Sequence, residues 1–558
     1  MSPTRRILIG IDVGGTNTDG VAVDRLTGQV LKKLKVPTRS DLVQCVGEAL
    51  KTLLHGVDNE EVERISLSTT LVTNAVVTNR LEPVGMILFS GPGLDASLMS
   101  GDPNCRVVPG MMDHRGREIA PPDPGHLTAL LDSFHIKGIS VVAVAGKFSV
   151  RNPSHELLVN EMAQRDFDHV AMSHTLSGAL NFPRRAATAY LCAGVWRRHT
   201  HFIAAAKRTV AEQKCTAPVF LLRADGGAQK ADSFSNAAEA ALSGPAASIM
   251  GIAATSDLSV ETIGLDVGGT TTDISFYVKG APLIEPHGAT IGDYLTQIRS
   301  LFTRSLPVGG DSALALEEGC LRIGPERKGP AAALGGPCPT PTDAMIALGL
   351  VDGDGEAAKR SLLPLAGELG LTVEETAKSI LAELAERIIA ETFSFLSVVN
   401  SRPVYTIHEL LEDHKVKPER IVLVGGPAKA LAPFIGEASG LPVLLPRHHD
   451  VANAIGAAVA SVSLEVNATC DTAHGWLAIP EASVHKGVDK GFTMAQVEKE
   501  ARDGLTGIAE NMGFSGETLD FDIAERESFN IIEGHYFAGA VHRLKLQVRP
   551  AILTRVGG

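Results

Sequence analysis

The chain has 558 residues, of which 44% are hydrophobic and 21% charged, a composition that suits a globular protein of roughly two to four domains. Its formal charge is −13, and no Lys/Arg cluster exceeds short pairs such as Arg197-Arg198. This argues against nucleic acid or an anionic membrane surface as the main partner. Its seven cysteines are scattered and form no CxxC pair, which argues against a disulfide framework or a thiolate metal site and suits a reducing cytoplasm.

The opening stretch, MSPTRRILIGIDVGG, has two arginines but no long apolar run. It is not expected to act as a signal peptide. No charge-free apolar stretch reaches 18 residues, so no membrane span is expected. Residues 10–19 read GIDVGGTNTD, an apolar strand entering a Gly-rich turn and leaving through Val21-Ala22-Val23. That pattern predicts a β-hairpin. Strands are expected at 139–145 and 219–223, with helices at 154–164 and, after Pro183, at 184–208. The alternation favours an α/β architecture with central sheets. Residues 264–273 then read GLDVGGTTTD, identical to the first motif at eight of ten positions.

Two copies this far apart predict a duplicated α/β unit. A long helix is expected at 373–399, capped by Thr372 with Glu375 three residues on. A short strand at 421–424 runs into Gly425-Gly426-Pro427, and a small Ala-rich helix is expected at 451–462. Beyond about residue 466 an amphipathic helix at 493–512 and alternating strands at 527–548 predict a small α+β tail. The expected division is 1–185, 186–465 and 466–558.

The repeated turn suits phosphate binding. Gly14, Gly15, Gly268 and Gly269 let backbone N–H groups approach phosphate oxygens. Thr16, Thr18, Thr270 and Thr272 add hydroxyl donors. Asp12 and Asp266 would repel phosphate directly, so they make sense through a cation. Mg²⁺ takes one or two carboxylates alongside phosphate oxygens and waters. One such motif alone reads equally well as an ordinary hairpin turn; the second copy in register weighs against that. No GxxxxGK[ST], strand-borne GxGxxG, GxSxG or HExxH is present.

Two such hairpins followed by a strand–Gly-Gly element resemble the actin-like ATPase superfamily, with its two-lobed, ribonuclease H-like duplicated fold. There the hairpins are the phosphate motifs, matched here by residues 12–19 and 266–273. Gly425-Gly426 matches the adenosine motif, and the helix holding residues 454–458 resembles the second connecting helix. Within the superfamily the chain resembles the hydantoinase/oxoprolinase A-type subunits, the N-methylhydantoinase A-like proteins. The resemblance rests on IGIDVGGTNTD, STTLVTNAVV (68–77), the segment 226–248 leading into GLDVGGTTTDIS, PVGGDS (307–312) and PTPTDAMIALG (339–349).

Three stretches depart from that pattern. The family's His-Gly-Thr-Thr stands here as Leu67-Ser68-Thr69-Thr70, its Gly-Gly-Gly-Ser as Gly309-Gly310-Asp311-Ser312, and its Pro-Gly-Pro-Ala-Cys-Tyr as an Ala-rich run at 329–337. The tail resembles that of short-form members.

The resemblance implies ATP and Mg²⁺ as cofactors and a cyclic amide as substrate, namely a hydantoin, 5-oxoproline or a related lactam. It also implies a B-type hydrolase subunit as partner and a homo- or hetero-oligomer. Asp12 and Asp266 are then the catalytic and metal-binding carboxylates, Asp266 doubling as a candidate base. Thr69, Thr70 and Asn74 are candidates for the acceptor side, with a ligand-free helix cap as the alternative. Gly309 and Gly310 are expected to cap a helix beside the nucleotide, or else to end a loop. Arg447-His448-His449-Asp450 reads as a polar loop before a helix, since adjacent histidines in a strand face opposite ways. Asp225 is expected near the cleft. A small-molecule kinase and a regulatory ATPase remain alternatives.

Overall fold

A computed structural model describes residues 5–39, 41–91, 93, 102–234, 236–401 and 415–557. The first four residues of the amino-terminal stretch and Ser235 of the 226–248 motif lie outside the described residues.

The first lobe is built on a six-stranded sheet in the spatial order Ala228–Lys230, Val219–Leu222, Val62–Thr69, Ile7–Val13, Asn17–Asp24, Val30–Pro37. Its central strand, ILIGIDV, is buried along its whole length, as expected of a strand covered on both faces. It pairs antiparallel with Asn17–Asp24 and parallel with Val62–Thr69. A second, parallel sheet of His169–Met172, Val141–Gly146, Val84–Phe89 and Cys105–Val107 is inserted after it.

The second lobe repeats the plan. Thr262–Val267 pairs antiparallel with Thr272–Val278 and parallel with Arg420–Val424. Its outer layer includes the helix Val373–Asn400, which opens with the expected Thr372–Glu375 capping box. Asp12 faces Asp19 across the first hairpin, and Asp266 faces Asp273 across the second. The duplication is thus one of register as well as letters.

Two helices cross between the lobes: Ser243–Thr255 and Ala452–Val459. Their backbones touch, so that a Cβ on Gly251 would lie 1.9 Å from Ala452 O, and one on Gly456 1.9 Å from Ala247 O. The second helix also lies against the first sheet, where a Cβ on Gly10 would meet Ala454 O at 2.1 Å. Only glycine permits such an approach. Ala452–Val459 is shorter than the sequence pattern suggests, because the chain turns at Ala460 into the strand Leu464–Asp471.

The strand pairing moves one expected boundary. Val219–Leu222 and Ala228–Lys230 belong to the first sheet, and the helix Phe182–Glu212 runs through residue 185. The first lobe therefore extends well past that residue. The tail is an α+β unit: a five-stranded sheet with the helix Met494–Asn511 packed on it. Its core residues Val497, Leu505 and Leu544 join one apolar cluster with Met250 and Ile252 of the crossing helix. It also accepts a backbone hydrogen bond from the first lobe, Lys230 N–H to Met512 O at 2.9 Å, and just before it Ser461 O accepts the Ala228 N–H at 2.8 Å. The tail is wedged against the lobes.

Candidate functional site

The two hairpins meet tip to tip. In each, the first glycine donates its N–H across the turn, Gly14 to Asn17 O at 3.0 Å and Gly268 to Thr271 O at 2.9 Å. This fixes both turns in one shape. Thr16 Oγ1 lies 3.1 Å from Thr270 Oγ1, so the tips are hydrogen-bonded to each other. Behind them opens a cleft of about 390 Å³, lined by Asp12, Gly14, Gly15, Thr16, Asp266, Gly268, Gly269, Thr270, Gly425 and Gly426 together with Thr70 and Asn74. A larger hollow of about 710 Å³ between residues 278–288 and the tail contains none of the residues singled out in the sequence.

Five carboxylates line this cleft, Asp450 at its edge and four on the two hairpins. Asp12 is buried, accepts the Ser68 hydroxyl, and accepts Asn453 Nδ2 at 2.7 Å. The same Nδ2 donates to Asp19 at 2.8 Å, and Asp19 is also paired with Lys35 at 2.6 Å. On the other side Asp266 accepts the Ser248 hydroxyl, and the Asp273 carboxyl is bonded to Ser305, while its Oδ1 is sealed from solvent with no hydrogen-bond partner among the described residues. Burial pushes the Asp12 carboxyl up to about 7, against the pull of Ser68 and with some repulsion from Asp19. Burial and then the neighbouring Asp266 push Asp273 up to about 7 as well. Burial also raises Asp266, and raises Asp19 in spite of Lys35. Such a set is short of positive charge.

That donor set fits Mg²⁺. Among the described residues no three His, Cys, Asp or Glu side chains form a protein-only cage. Mg²⁺ does not require one, since it binds through one or two carboxylates plus phosphate oxygens.

Several expected residues take other places. Thr18 and Thr272 are fully buried; Thr18 bonds Thr38 Oγ1 at 3.0 Å, and Thr272 donates to Val308 O at 2.8 Å. They face away from the cleft because strand neighbours alternate, and Asp19 and Asp273 take the cleft side. Gly310 O accepts the N–H of Thr342, in the first turn of the helix Pro341–Ala347, at 2.8 Å, but neither Gly309 nor Gly310 lines the cleft. They lie behind the second turn, where Gly310 N–H donates to Gly268 O at 2.9 Å and Asp311 N–H to Gly269 O at 2.6 Å. Thr69 is buried, and its hydroxyl accepts the Leu71 N–H at 3.2 Å in a local turn. Thr70 and Asn74 do line the cleft and are bonded to each other at 3.2 Å. Asp225 is buried away from it, beside Arg299 at 3.4 Å and Arg223 at 3.7 Å.

Gly425 sits at φ +102°, and a Cβ there would lie 2.2 Å from Val267 O and 2.7 Å from Asp266 Oδ1. The strand–Gly-Gly element is thereby pressed against the second hairpin. The amino end of Ser243–Thr255 also opens on the cleft, with Leu242, Gly244 and Pro245 in its wall. The helix dipole favours negative charge at such a position. Residues Lys35, Ser68, Ser248, Asp273, His449 and Asn453 were not among those the sequence pointed to as cleft residues. Asp19 and Asp273 end the two repeated decapeptides, and that repetition was the available signal.

Two pseudo-equivalent lobes joined by crossing helices, with paired Gly-rich hairpins at the cleft, define the actin-like ATPase fold. Residues 8–167 match the family described as hydantoinase/oxoprolinase N-terminal region, and residues 185–466 match the hydantoinase/oxoprolinase family. The chain belongs to the hydantoinase/oxoprolinase family.

It is 27% identical over 549 residues to 5-oxoprolinase of Saccharomyces cerevisiae, covering 83% of this chain and 42% of the yeast protein. It is 26% identical to the caprolactamase subunit alpha of Pseudomonas jessenii, covering 75% of this chain and 64% of that one. The crystal structure of the ATP-dependent caprolactamase from Pseudomonas jessenii shares the fold, with a TM-score of 0.69 at 19% identity over 98% of this chain and 88% of that one. The chain thus spans less than half the length of its yeast relative. Among the described residues no helix is long and apolar enough to cross a membrane.

Proposed function

We propose that this chain is the ATP-using component of a cyclic-amide hydrolase acting on a hydantoin, 5-oxoproline or a related lactam. The observation that carries the reading is the meeting of two equivalent hairpins, with Asp12 and Asp266 lining one cleft and Thr16 bonded to Thr270. Its membership of the family and its likeness to 5-oxoprolinase and caprolactamase support the choice of acceptor.

An amide resists hydrolysis because its C–N bond has partial double-bond character. In the proposed reaction the ring carbonyl oxygen attacks the γ-phosphorus of ATP, the bond to the β-phosphate oxygen breaks, and ADP departs. The ring N–H proton is lost to a base, for which Asp266 is the candidate, and a C=N bond forms. Water then adds to that carbon. The C–N bond breaks as the ring nitrogen takes up protons from that water and from the base, and the acyl phosphate so formed is cleaved by a second water to the carboxylate and phosphate. Mg²⁺, when bound, neutralises charge between the phosphates and the carboxylates.

The chain's own contribution is positional. The turn N–H groups of Gly15 and Gly269 would serve phosphate oxygens, with Thr16 and Thr270 beside them. Gly425 and Gly426 form the adenosine side. Thr70 and Asn74 face the acceptor. A B-type hydrolase subunit in a hetero-oligomer fits both the subunit name of the bacterial relative and the greater length of the yeast one. A cytoplasmic setting fits ATP use and seven free cysteines.

The test is phosphate release from ATP by the purified chain against a panel of hydantoins, 5-oxoproline, other lactams and sugars, with and without a candidate partner subunit. Stimulation by a ring amide with ring opening is expected. A stable phosphorylated acceptor would make the protein a small-molecule kinase. No stimulation by any small molecule would favour a regulatory ATPase.

A further inference from the structure

The polar loop at residues 447–450 and the start of the helix behind it lie between the two lobes in a way the motifs do not require. His449 is tied to the adenosine side, since its carbonyl accepts the Gly425 N–H at 2.9 Å and its Nδ1 lies 3.3 Å from Gly425 O. Asp450 reaches the opposite lobe and pairs with Lys33 on the edge strand Val30–Pro37 at 2.7 Å. Three residues on, Asn453 also reaches that lobe. Its single Nδ2 donates to both Asp12 at 2.7 Å and Asp19 at 2.8 Å. Five residues therefore join the Gly-Gly element of one lobe to the two carboxylates of the other lobe's hairpin.

We infer that Asn453 is a positioning residue that couples the adenosine side of the cleft to Asp12. It holds two like-charged groups together through one uncharged donor and fixes how the Asp12 carboxylate is turned toward the cleft. Ser68 takes one oxygen of Asp12 and Asn453 the other, so rotation of that carboxylate is blocked from both sides. At the second hairpin Asp266 accepts the Ser248 hydroxyl, and among the described residues no carboxamide bridges Asp266 and Asp273. The inference rests on the proposed Mg·ATP reading of the cleft, and Asn453 itself touches neither acceptor nor phosphate in that reading. Groups that orient a metal-binding residue cost about 10- to 100-fold in affinity or activity when removed.

The test compares Asn453→Asp, which keeps the shape but replaces the donor by a third carboxylate, with Asn453→Ser, which keeps a donor on a shorter stem. ADP affinity is measured by calorimetry on the full chain with and without Mg²⁺, alongside phosphate release from ATP. For Asn453→Asp the expected result is metal-free ADP affinity within about threefold of the parent, a Mg²⁺ enhancement of affinity reduced about 10- to 100-fold, and turnover reduced in step. Asn453→Ser should fall between the two. An unchanged Mg²⁺ enhancement, or a parallel fall in metal-free ADP affinity, would overturn the inference. If Asn453→Asp does not fold, the same two readouts on Asn453→Ser decide it. The binding measurement needs no acceptor. Failure of every ring amide to stimulate the parent chain would therefore sink the proposed function and leave this result standing.

Discussion

The two hairpins are spelled almost alike and are held quite differently. Each has its aspartate pair in the same register and closes its turn with the same glycine N–H bond. Around the first, Ser68, Asn453 and Lys35 supply a hydroxyl, a carboxamide and an ammonium. Around the second, Ser248 serves Asp266 while Asp273 keeps one oxygen unpartnered. A duplicated strand pair has thus been left intact while the elements that grip it diverged. The first hairpin is braced by three side chains; the second leaves one Asp273 oxygen buried without a hydrogen bond among the described residues.

The largest expected effect tests what the two copies share. Asp12→Asn and Asp266→Asn should each lower ATP turnover by about a thousandfold or more, since phosphoryl transfer depends on charge placement. A residual rate above a tenth of the parent's in either would show that one copy alone suffices. Next comes the element that touches only the second hairpin. Gly425→Ala forces a side chain into a left-handed backbone at about 1–2 kcal/mol, with the added Cβ aimed at Val267 O. Adenine nucleotide affinity should fall by about tenfold or more, and isothermal titration would show it.

The pH response separates the copies from the rest of the fold. The Asp12 and Asp273 carboxyls are pushed from the usual 3.8 up to about 7 in the folded chain. The folded state then binds their protons where the unfolded chain does not, so each removes stability as pH rises from about 4 through about 7. A bound cation relieves that cost. The rise in melting temperature given by Mg·ADP should therefore be larger at pH 8 than at pH 6; an equal rise would place the raised groups elsewhere. The smallest effect concerns the contact between the tips. Thr16→Val or Thr270→Val removes one exposed hydrogen bond, worth about 1 kcal/mol, and should change turnover about fivefold. The double variant should cost little more than either single one, because both delete the same bond.

Much of the fold was legible because its signals are local. The hairpins, the capped helix after Thr372, the strand before Gly425 and the paired strands of the tail are set by residues within about a dozen positions of one another. The cleft was legible only in part. Thr18 and Thr272 could have been set aside by strand alternation once Asp19 and Asp273 were placed in the cleft. Asn453, Ser248 and Lys35 carry no local mark, since each comes from a different element and meets its carboxylate only through the topology. Gly309 and Gly310 carry a readable Gly-Gly signal, and Gly310 does meet the first turn of a helix, but behind the cleft and not in its wall. Their freedom from side chains serves packing behind Gly268 and Gly269, where a Cβ on Gly309 would lie 2.5 Å from Gly268 O.

The contact of Gly10 with the helix Ala452–Val459 has a kinematic consequence. Backbone there meets backbone with no side chain between, so the contact can serve as a fulcrum but not as a cushion. In any rotation of the lobes about it, displacement grows with distance from the axis. Asp12, two residues along the strand, sits close to the still point, while the edge strand carrying Lys33 lies two strands out and travels further. Opening the jaws to exchange nucleotide would thus stretch the outer Lys33–Asp450 pair first and disturb the inner carboxylates last.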